Sequence, residues 1–360
     1  MKNKKFIILI IIIIIAITTA IYFNKPKQEK NIYLNFINEI YDKIQENYWE
    51  KISEEELTNI FKLASEKLTE KPQTLEEKNK QGMNKMIKQI LEETQNKEQF
   101  IPQLAHMVLI NLKPFNRSGL YTPKQEQELK QMVENINPET QEVETTVIPN
   151  LITPDILHLY IKRISPTTLN DLKIQTEKYD KENGPTSLII DLRSNIGGSL
   201  DITPYLLGPF IGQNQYAFEL FHKGDYEPIK TQFGWLPSLV RYKKVIILTN
   251  EKTQSSAEIM ASVLKKYNVG ISIGKTTKGW GTIEKVFELE NQVSEIKYSM
   301  FLVHRLTLKD DNQPIEGNGV QPLINIEDKD WKDQLYSYFD YDDLINAVEN
   351  IWKIEPEEIK

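Results

Sequence analysis

From Val147 onward, four short apolar runs alternate with segments of helical pattern: Ile156 to Ile164, Ser187 to Leu192, Val245 to Asn250, and Gly270 to Gly274. The polar helical segment Thr167 to Lys181 separates the first two runs, and Ser255 to Tyr267 separates the last two. This spacing is that of right-handed βαβ crossovers, so the segment is expected to be an α/β domain built on parallel strands. No internal repeat is visible.

The preceding segment has a different texture. Leu34, Ile37, Ile40, Tyr41, Ile44 and Tyr48 recur at three- and four-residue intervals and predict an amphipathic helix. Ser53 with Glu56 is a capping-box pattern ahead of Leu57, Ile60, Phe61 and Leu63, which predicts a second helix. Lys71 to Gln81 reads as a connection, and helical pattern resumes through Met83 to Leu91 and Leu104 to Leu112. The charged stretch Asn137 to Glu144 reads as a module boundary. Near the C-terminus, Leu344, Ile345, Val348, Ile351 and Trp352 place a packed terminal helix in Asp328 to Lys353. These are packing signals and carry no chemistry.

Composition narrows the function. The chain has 360 residues, 40% of them apolar, enough for a domain core plus a smaller helical module. Its net charge is -7 with the two signs interspersed, so no basic face for nucleic acid is expected. Cysteine is absent, which excludes disulfides, thiolate metal sites and a cysteine nucleophile. His106, His158, His222 and His304 are widely separated with no metal-ligand spacing; no metal and no cofactor are expected.

Two turns carry the chemical argument. The run ending at Leu192 leads into DLRSNIGG, where Gly197 and Gly198 allow a sharp turn and a close approach of backbone amides to a ligand. The run VIILTN leads into Thr253, Gln254, Ser255, Ser256, Ala257 and Glu258. Ser255 with Glu258 fits an ordinary capping box. The same geometry puts a serine at a helix N-terminus beyond a parallel strand, where open α/β sheets place their sites and the helix dipole favours developing negative charge.

DLRSNIGG, LTNEKTQSSAEI, GKTTKGWGT and IEGNGVQP occur in this order. The ordered set resembles the C-terminal processing (tail-specific) serine protease family, whose members carry DLR-x-N-x-GG, T-x-S-A-S-E, G-x-x-T-x-G-K-G and I-x-G-x-G-I-x-P-D elements. Thr253, Ser255 and Glu258 keep their motif places, while Ser256 and Ala257 exchange the usual alanine and serine. The likeness covers about residues 147 to 326, with a weaker extension at NYWEKISEEEL. It implies an α/β crotonase-like (ClpP/crotonase-type) core that cuts polypeptide substrates through an acyl-enzyme on Ser255. The oxyanion would be held by backbone N–H groups of Gly197 or Gly198 together with Ser256.

Two departures qualify the resemblance. Val133 to Val147 is too short to hold the PDZ domain that many members insert, so any substrate groove must come from the helices, around Pro114 to Pro123, or from the exposed connection Gln213 to Trp235. The second departure is the base, because Trp280 stands where the family has a lysine and Glu284 where a glutamine often supports it. Tryptophan only donates. Lys278, displaced by about 6 to 7 Å along an extended segment, could reach the same face under the apolar cover of Trp280. His304 is the other candidate, with Glu284 orienting it; it is preferred because two residues of displacement is large against the roughly 3 Å that proton transfer spans. Three readings stay open: an active serine endopeptidase, a pseudoprotease that binds peptides without cutting them, and an envelope structural protein.

Compartment is read from the N-terminus, where Lys2, Lys4 and Lys5 precede the apolar run Phe6 to Phe23. At about 1.5 Å per residue the run makes a helix about 27 Å long, close to a hydrocarbon core of about 30 Å. The lysines favour a cytoplasmic N-terminus. Thr18, Thr19 and Ala20 resemble a cleavage site, but the length of the run favours an anchor. The expected organisation is therefore residues 1–5 in the cytoplasm, a transmembrane anchor at 6–23, a helical module at 31–136, a catalytic core at 143–326 and a helical tail at 327–360. Oligomeric state is not legible. Proteinase added to spheroplasts is expected to trim the chain; full protection that is lost on lysis would reverse the topology.

Overall fold

The computed structural model describes residues 32–309 and 311–356. Four helices come first: α1 (Ile32–Asn47), α2 (Glu54–Thr69), α3 (Lys80–Glu93) and α4 (Lys97–Ile110). The expected capping box forms, with Ser53 Oγ accepting from the Glu56 N–H at 3.2 Å and the Glu56 carboxylate accepting from the Ser53 N–H at 2.9 Å. Phe36, Ile37, Ile40 and Ile44 line the buried face of α1 and pack on Phe61, Met83, Ile87 and Leu104. The helices do not close this core alone. Leu289, Val293, Met300 and Leu302 belong to it and come from the hairpin of β9 (Thr282–Glu288) and β10 (Ser299–Leu308).

Strand β10 is the joint between modules. It pairs antiparallel with β9, with β1 (Gly119–Tyr121) and with β5 (Tyr216–His222), which pairs with β6 (Asp225–Lys230). Gln213 to Trp235, read as an exposed connection, is thus largely a hairpin. Its two-residue turn, Lys223 at φ 53° and Gly224 at φ 102°, has the positive φ values that match strand twist. Helix α5 (Pro123–Glu134) follows β1, and the stretch read as a boundary turns on itself through an Ile136–Val143 bridge.

The expected parallel sheet is present. Its order is β11 (Ile324–Asn325), β8 (Ile271–Gly274), β7 (Lys244–Thr249), β4 (Ser187–Asp191), β3 (Ile156–Ile161) and β2 (Val147–Thr153); only β2 runs antiparallel to its neighbour. Side-chain alternation sends Leu157, Leu159, Leu188, Ile190 and Ile247 to one face, and Ile156, Ile189, Ile246, Leu248 and Ile273 to the other. The first face is covered by α6 (Thr168–Lys178), α7 (Thr203–Ile211), α8 (Pro237–Val240) and α9 (Ser256–Lys266). The second is covered by the C-terminal tail, through Leu335, Leu344, Val348 and Ile351. Both faces are buried, which is why these runs are continuously apolar.

The tail differs from the single terminal helix expected. It forms α10 (Trp331–Phe339) and α11 (Asp342–Trp352), because Asp340 adopts φ 45° and ends the first with a left-handed cap. The anchor expected at residues 6–23 lies outside the described residues; among those described, no helix is long and apolar enough to cross a membrane.

A buried ionic cluster ties the tail to the end of β4. Arg193 donates to both Asp191 oxygens at 2.8 to 3.1 Å, and His158 Nε2 lies 3.2 Å from Asp191. The same guanidinium donates to the Ile354 carbonyl at 3.2 Å and faces the Trp352 ring. Burial alone would push the Asp191 carboxyl up, but hydrogen bonds from His158 and Arg193 outweigh it and hold the group below its ordinary range. The unfolded chain therefore binds this proton more tightly, so the contribution is present above about pH 4 and is lost as pH falls through the folded value. Arg193→Ala, which strands a buried carboxylate, is expected to cost about 3 to 5 kcal/mol in urea unfolding at pH 7, with a smaller deficit at acid pH.

Candidate active site

Strands β4 and β7 are parallel neighbours, so their carboxyl ends deliver the two chemical turns side by side. Hydrogen bonds join the turns. Thr253 Oγ1 donates to the Leu192 carbonyl at 2.8 Å, the Ser194 N–H to Asn250 Oδ1 at 2.8 Å, and the Gln254 N–H to the Asn195 carbonyl at 2.9 Å. Asn195, fully buried, holds the glycine turn by accepting from the Gly197 N–H at 2.8 Å and donating to the Ile161 carbonyl at 2.7 Å.

Ser255 caps α9 in a sparsely populated conformation, φ 57° and ψ -130°. A non-glycine residue held there costs about 1 to 3 kcal/mol, which the surrounding bonds must sustain. Gly197 explains the proximity. At φ 83° it presses so close that a Cβ would lie 2.7 Å from Ser255 Cβ and 2.9 Å from the Ser256 nitrogen. Ser256 Oγ donates to the Gly198 carbonyl at 3.1 Å. The Gly197 N–H is taken by Asn195, whereas those of Gly198 and Ser256 carry no hydrogen bond among the described residues.

Glu258 connects this elbow to the third motif. Its Oε2 accepts from the Ser255 N–H at 2.9 Å and the Trp280 N–H at 2.7 Å; its Oε1 accepts from Thr277 Oγ1 and from the Gly279 N–H at 2.7 Å. Burial pushes this carboxyl above its ordinary range even though all four donors favour the charge. The residue is more than a helix cap, because one of its atoms bridges the backbones of positions 255 and 280. The fourth motif closes on the third: Thr277 Oγ1 accepts from the Val320 N–H at 2.7 Å, and Glu316 Oε2 accepts from the Gly281 N–H at 2.8 Å.

Trp280 therefore stands beside Ser255, and its ring is clamped. The Arg117 guanidinium lies 3.5 Å from the ring centroid and donates to Glu316 Oε1 at 3.1 and 3.2 Å. Arg117 belongs to the helical module, within the stretch Pro114 to Pro123 that sequence marked as a groove candidate without assigning the arginine a role. Neither it nor Glu316 was anticipated individually; Glu316 lies inside IEGNGVQP and could have been found there. The Trp280 indole N–H donates to Glu284 Oε1 at 3.2 Å, which also accepts from Thr282 Oγ1 at 2.5 Å. Burial pushes the Glu284 carboxyl up to about 7.

The two expected proton acceptors lie in different places. Lys278 is solvent-exposed, with Nζ 5.2 Å from the Trp280 ring centroid, so the indole does not bury it as the sequence reading expects. His304 occupies a β-bulge in β10 and turns toward the helical module: its Nδ1 is 2.7 Å from the Asn47 carbonyl and its ring packs on His222 at 4.6 Å. Burial, then His222, Arg305 and Lys285, hold His304 below its ordinary range. Glu284 bonds Trp280 and Thr282, so the expected His304–Glu284 pairing does not form; the bulge leaves Val303, not His304, opposite Glu284. Among the described residues no cluster of three or more His, Asp or Glu could hold a metal ion.

Comparison with known proteins agrees with this geometry. Residues 155–326 match Peptidase family S41. A protein described as a probable CtpA-like serine protease from Staphylococcus epidermidis is 30% identical over 168 residues, 47% of this chain and 33% of that protein. A protein of the same description from Staphylococcus aureus is 29% identical over 167 residues. The chain thus spans about a third of the length of the curated relatives it matches. A lipoprotein from Streptococcus agalactiae has a similar fold, with a TM-score of 0.52 at 17% identity over 86% of this chain and 96% of that one. Residues 155–326, just under half of the chain, contain all four motifs and the elbow at Ser255, and it is this segment that is similar to peptidase family S41.

Proposed function

We propose that this protein is a serine peptidase that hydrolyses polypeptides through an acyl-enzyme on Ser255, at the outer face of the membrane to which residues 6–23 would anchor it. The observation that carries this reading is the strained elbow: Ser255 at φ 57°, beyond the carboxyl end of β7, with Gly197 pressed against it. Strain of this kind persists only where surrounding bonds over-determine it. In the reaction, Ser255 Oγ attacks the scissile carbonyl, and the developing oxyanion accepts from the Gly198 and Ser256 N–H groups. The choice of Gly198 over Gly197 follows from the latter's bond to Asn195. Each donor of this type is worth about 2.7 to 4 kcal/mol of barrier.

We assign substrate binding to the helical module. A cavity of about 770 Å³ is lined by Ile60, Leu63, Met107 and Phe115, with Lys51 and Lys67 among its polar lining residues. Such mixed lining suits an extended segment with apolar side chains. A second reading is favoured by one observation: Trp280, clamped by Arg117, fills the place of the family lysine. On that reading the protein binds polypeptides and does not cut them.

Two variants test the first reading. A fluorophosphonate probe is expected to label the wild type and not Ser255→Ala, and casein turnover should follow the labelling. Labelling of both proteins alike removes Ser255 from the mechanism; retained casein binding with no labelling of either favours the scaffold. Gly197→Ala, whose Cβ has no room beside Ser255, is expected to lower turnover by about 10²-fold or more while near-native circular dichroism is kept.

A further inference from the structure

The elbow lacks a lysine at position 280, yet the tryptophan that stands there is bonded by two carboxyl groups, and they are not equivalent. Both oxygens of Glu258 are saturated, with two donors on each. A carboxylate so occupied can take no further proton without giving up a bond that holds the elbow. Glu284 is held differently. Its two side-chain donors, the Trp280 indole and the Thr282 hydroxyl, converge on Oε1, so Oε2 has no side-chain donor, and the residue's own backbone N–H is the remaining hydrogen-bond partner of the carboxylate. Trp280 links Glu284 to Ser255, since its backbone shares Glu258 Oε2 with the Ser255 N–H and its indole bonds Glu284. Arg117, 3.5 Å from the ring, keeps the indole in that pose. His304 faces Asn47, and Lys278 lies exposed over the indole.

We propose that Glu284 is the proton acceptor for Ser255, with Trp280 as the positioning residue that aims its carboxyl group. This assignment rests on the serine-peptidase reading. The proton leaves Ser255 Oγ for Glu284 Oε2, directly or through one water, as the Oγ–C bond forms and the carbonyl electron pair moves onto oxygen. Collapse of the tetrahedral intermediate breaks the C–N bond, and the protonated Glu284 gives its proton to the departing amine. Water then reverses the sequence: its proton goes to Glu284, its oxygen takes the acyl group, and Ser255 recovers its hydrogen. The environment suits the role. Burial raises the Glu284 carboxyl to about 7, so it can hold and release a proton near neutral pH. The titratable groups facing it are Arg117, which lowers it, and Tyr121 on β1, with Glu316 paired to Arg117 and Lys278 across the indole.

The test is the rate of fluorophosphonate labelling of the full-length protein in detergent, measured against pH. For the wild type the rate is expected to rise through a single step near pH 7 and then level off. Glu284→Gln should lower it by about 10²- to 10⁴-fold, the usual contribution of a positioned base, with an unchanged thermal melt. The double variant Trp280→Lys with Glu284→Gln, which installs a lysine beside a neutral amide, should recover labelling with its pH midpoint moved to the alkaline side. Wild-type labelling with an undiminished rate in Glu284→Gln overturns the assignment, as does loss of labelling in Lys278→Ala while Glu284→Gln retains it. If Glu284→Gln does not fold, the wild-type profile decides: labelling without a step near pH 7 overturns the proposal. A folded wild type that is never labelled refutes the peptidase reading itself, which is a distinct outcome.

Discussion

Four donors from two stretches of chain converge on the buried carboxylate of Glu258, and the arrangement around Ser255 depends on that convergence. A carboxylate taken out of water costs several kcal/mol, and only near-complete hydrogen bonding repays it. Because its donors come from residues 255, 277, 279 and 280, satisfying Glu258 forces the elbow and the GKTTKGWGT segment together. Thr277 and Glu316 extend the same logic to IEGNGVQP, each receiving a backbone N–H from the neighbouring segment. Motifs far apart in sequence thus become one site through side-chain acceptors that bind backbone donors.

The scaffold beneath this site is a sheet buried on both faces, with α6, α7 and α9 on one side and the C-terminal helices on the other. Parallel pairing of β4 and β7 brings the two turns abreast, and the Asp191–Arg193–His158 cluster fastens the end of β4 to the tail. The helical module is part of the same object. Its core includes Met300 and Leu302 of β10, and its loop supplies Arg117 to the ring of Trp280. An arginine stacked at 3.5 Å and paired with a carboxylate fixes an aromatic ring far better than packing alone. Trp280 therefore has a partner from outside the parallel-sheet domain.

Much of this was legible from local rules. The four apolar runs became adjacent parallel strands because residues buried on two faces must be apolar at nearly every position. The Ser53–Glu56 box and the face of α1 followed from spacing, since capping and helical periodicity are short-range effects. Two segments depart from what local pattern predicts. Composition makes Gln213 to Trp235 a connection, but Lys223-Gly224 permits a tight hairpin turn that pairing with β10 makes worthwhile. Periodicity predicts one helix in Asp328 to Lys353, but Asp340 takes a left-handed conformation that periodicity does not reveal.

Sequence by itself determined the identity of the nucleophile candidate, the glycine turn and the class of core, because each rests on neighbouring residues or on motifs in a set order. It also identified position 280 as anomalous. Only the tertiary structure decided what surrounds that anomaly. The chemistry of His304 suits a proton acceptor, yet a bulge in β10 directs it to Asn47, and the placement of a side chain on a bulged strand depends on the partner strand. Arg117 meets Trp280 across more than 150 residues of chain, and that contact is set by how the helical module docks on β10. No local pattern encodes it, because the free energy that selects it comes from burying the two modules against each other.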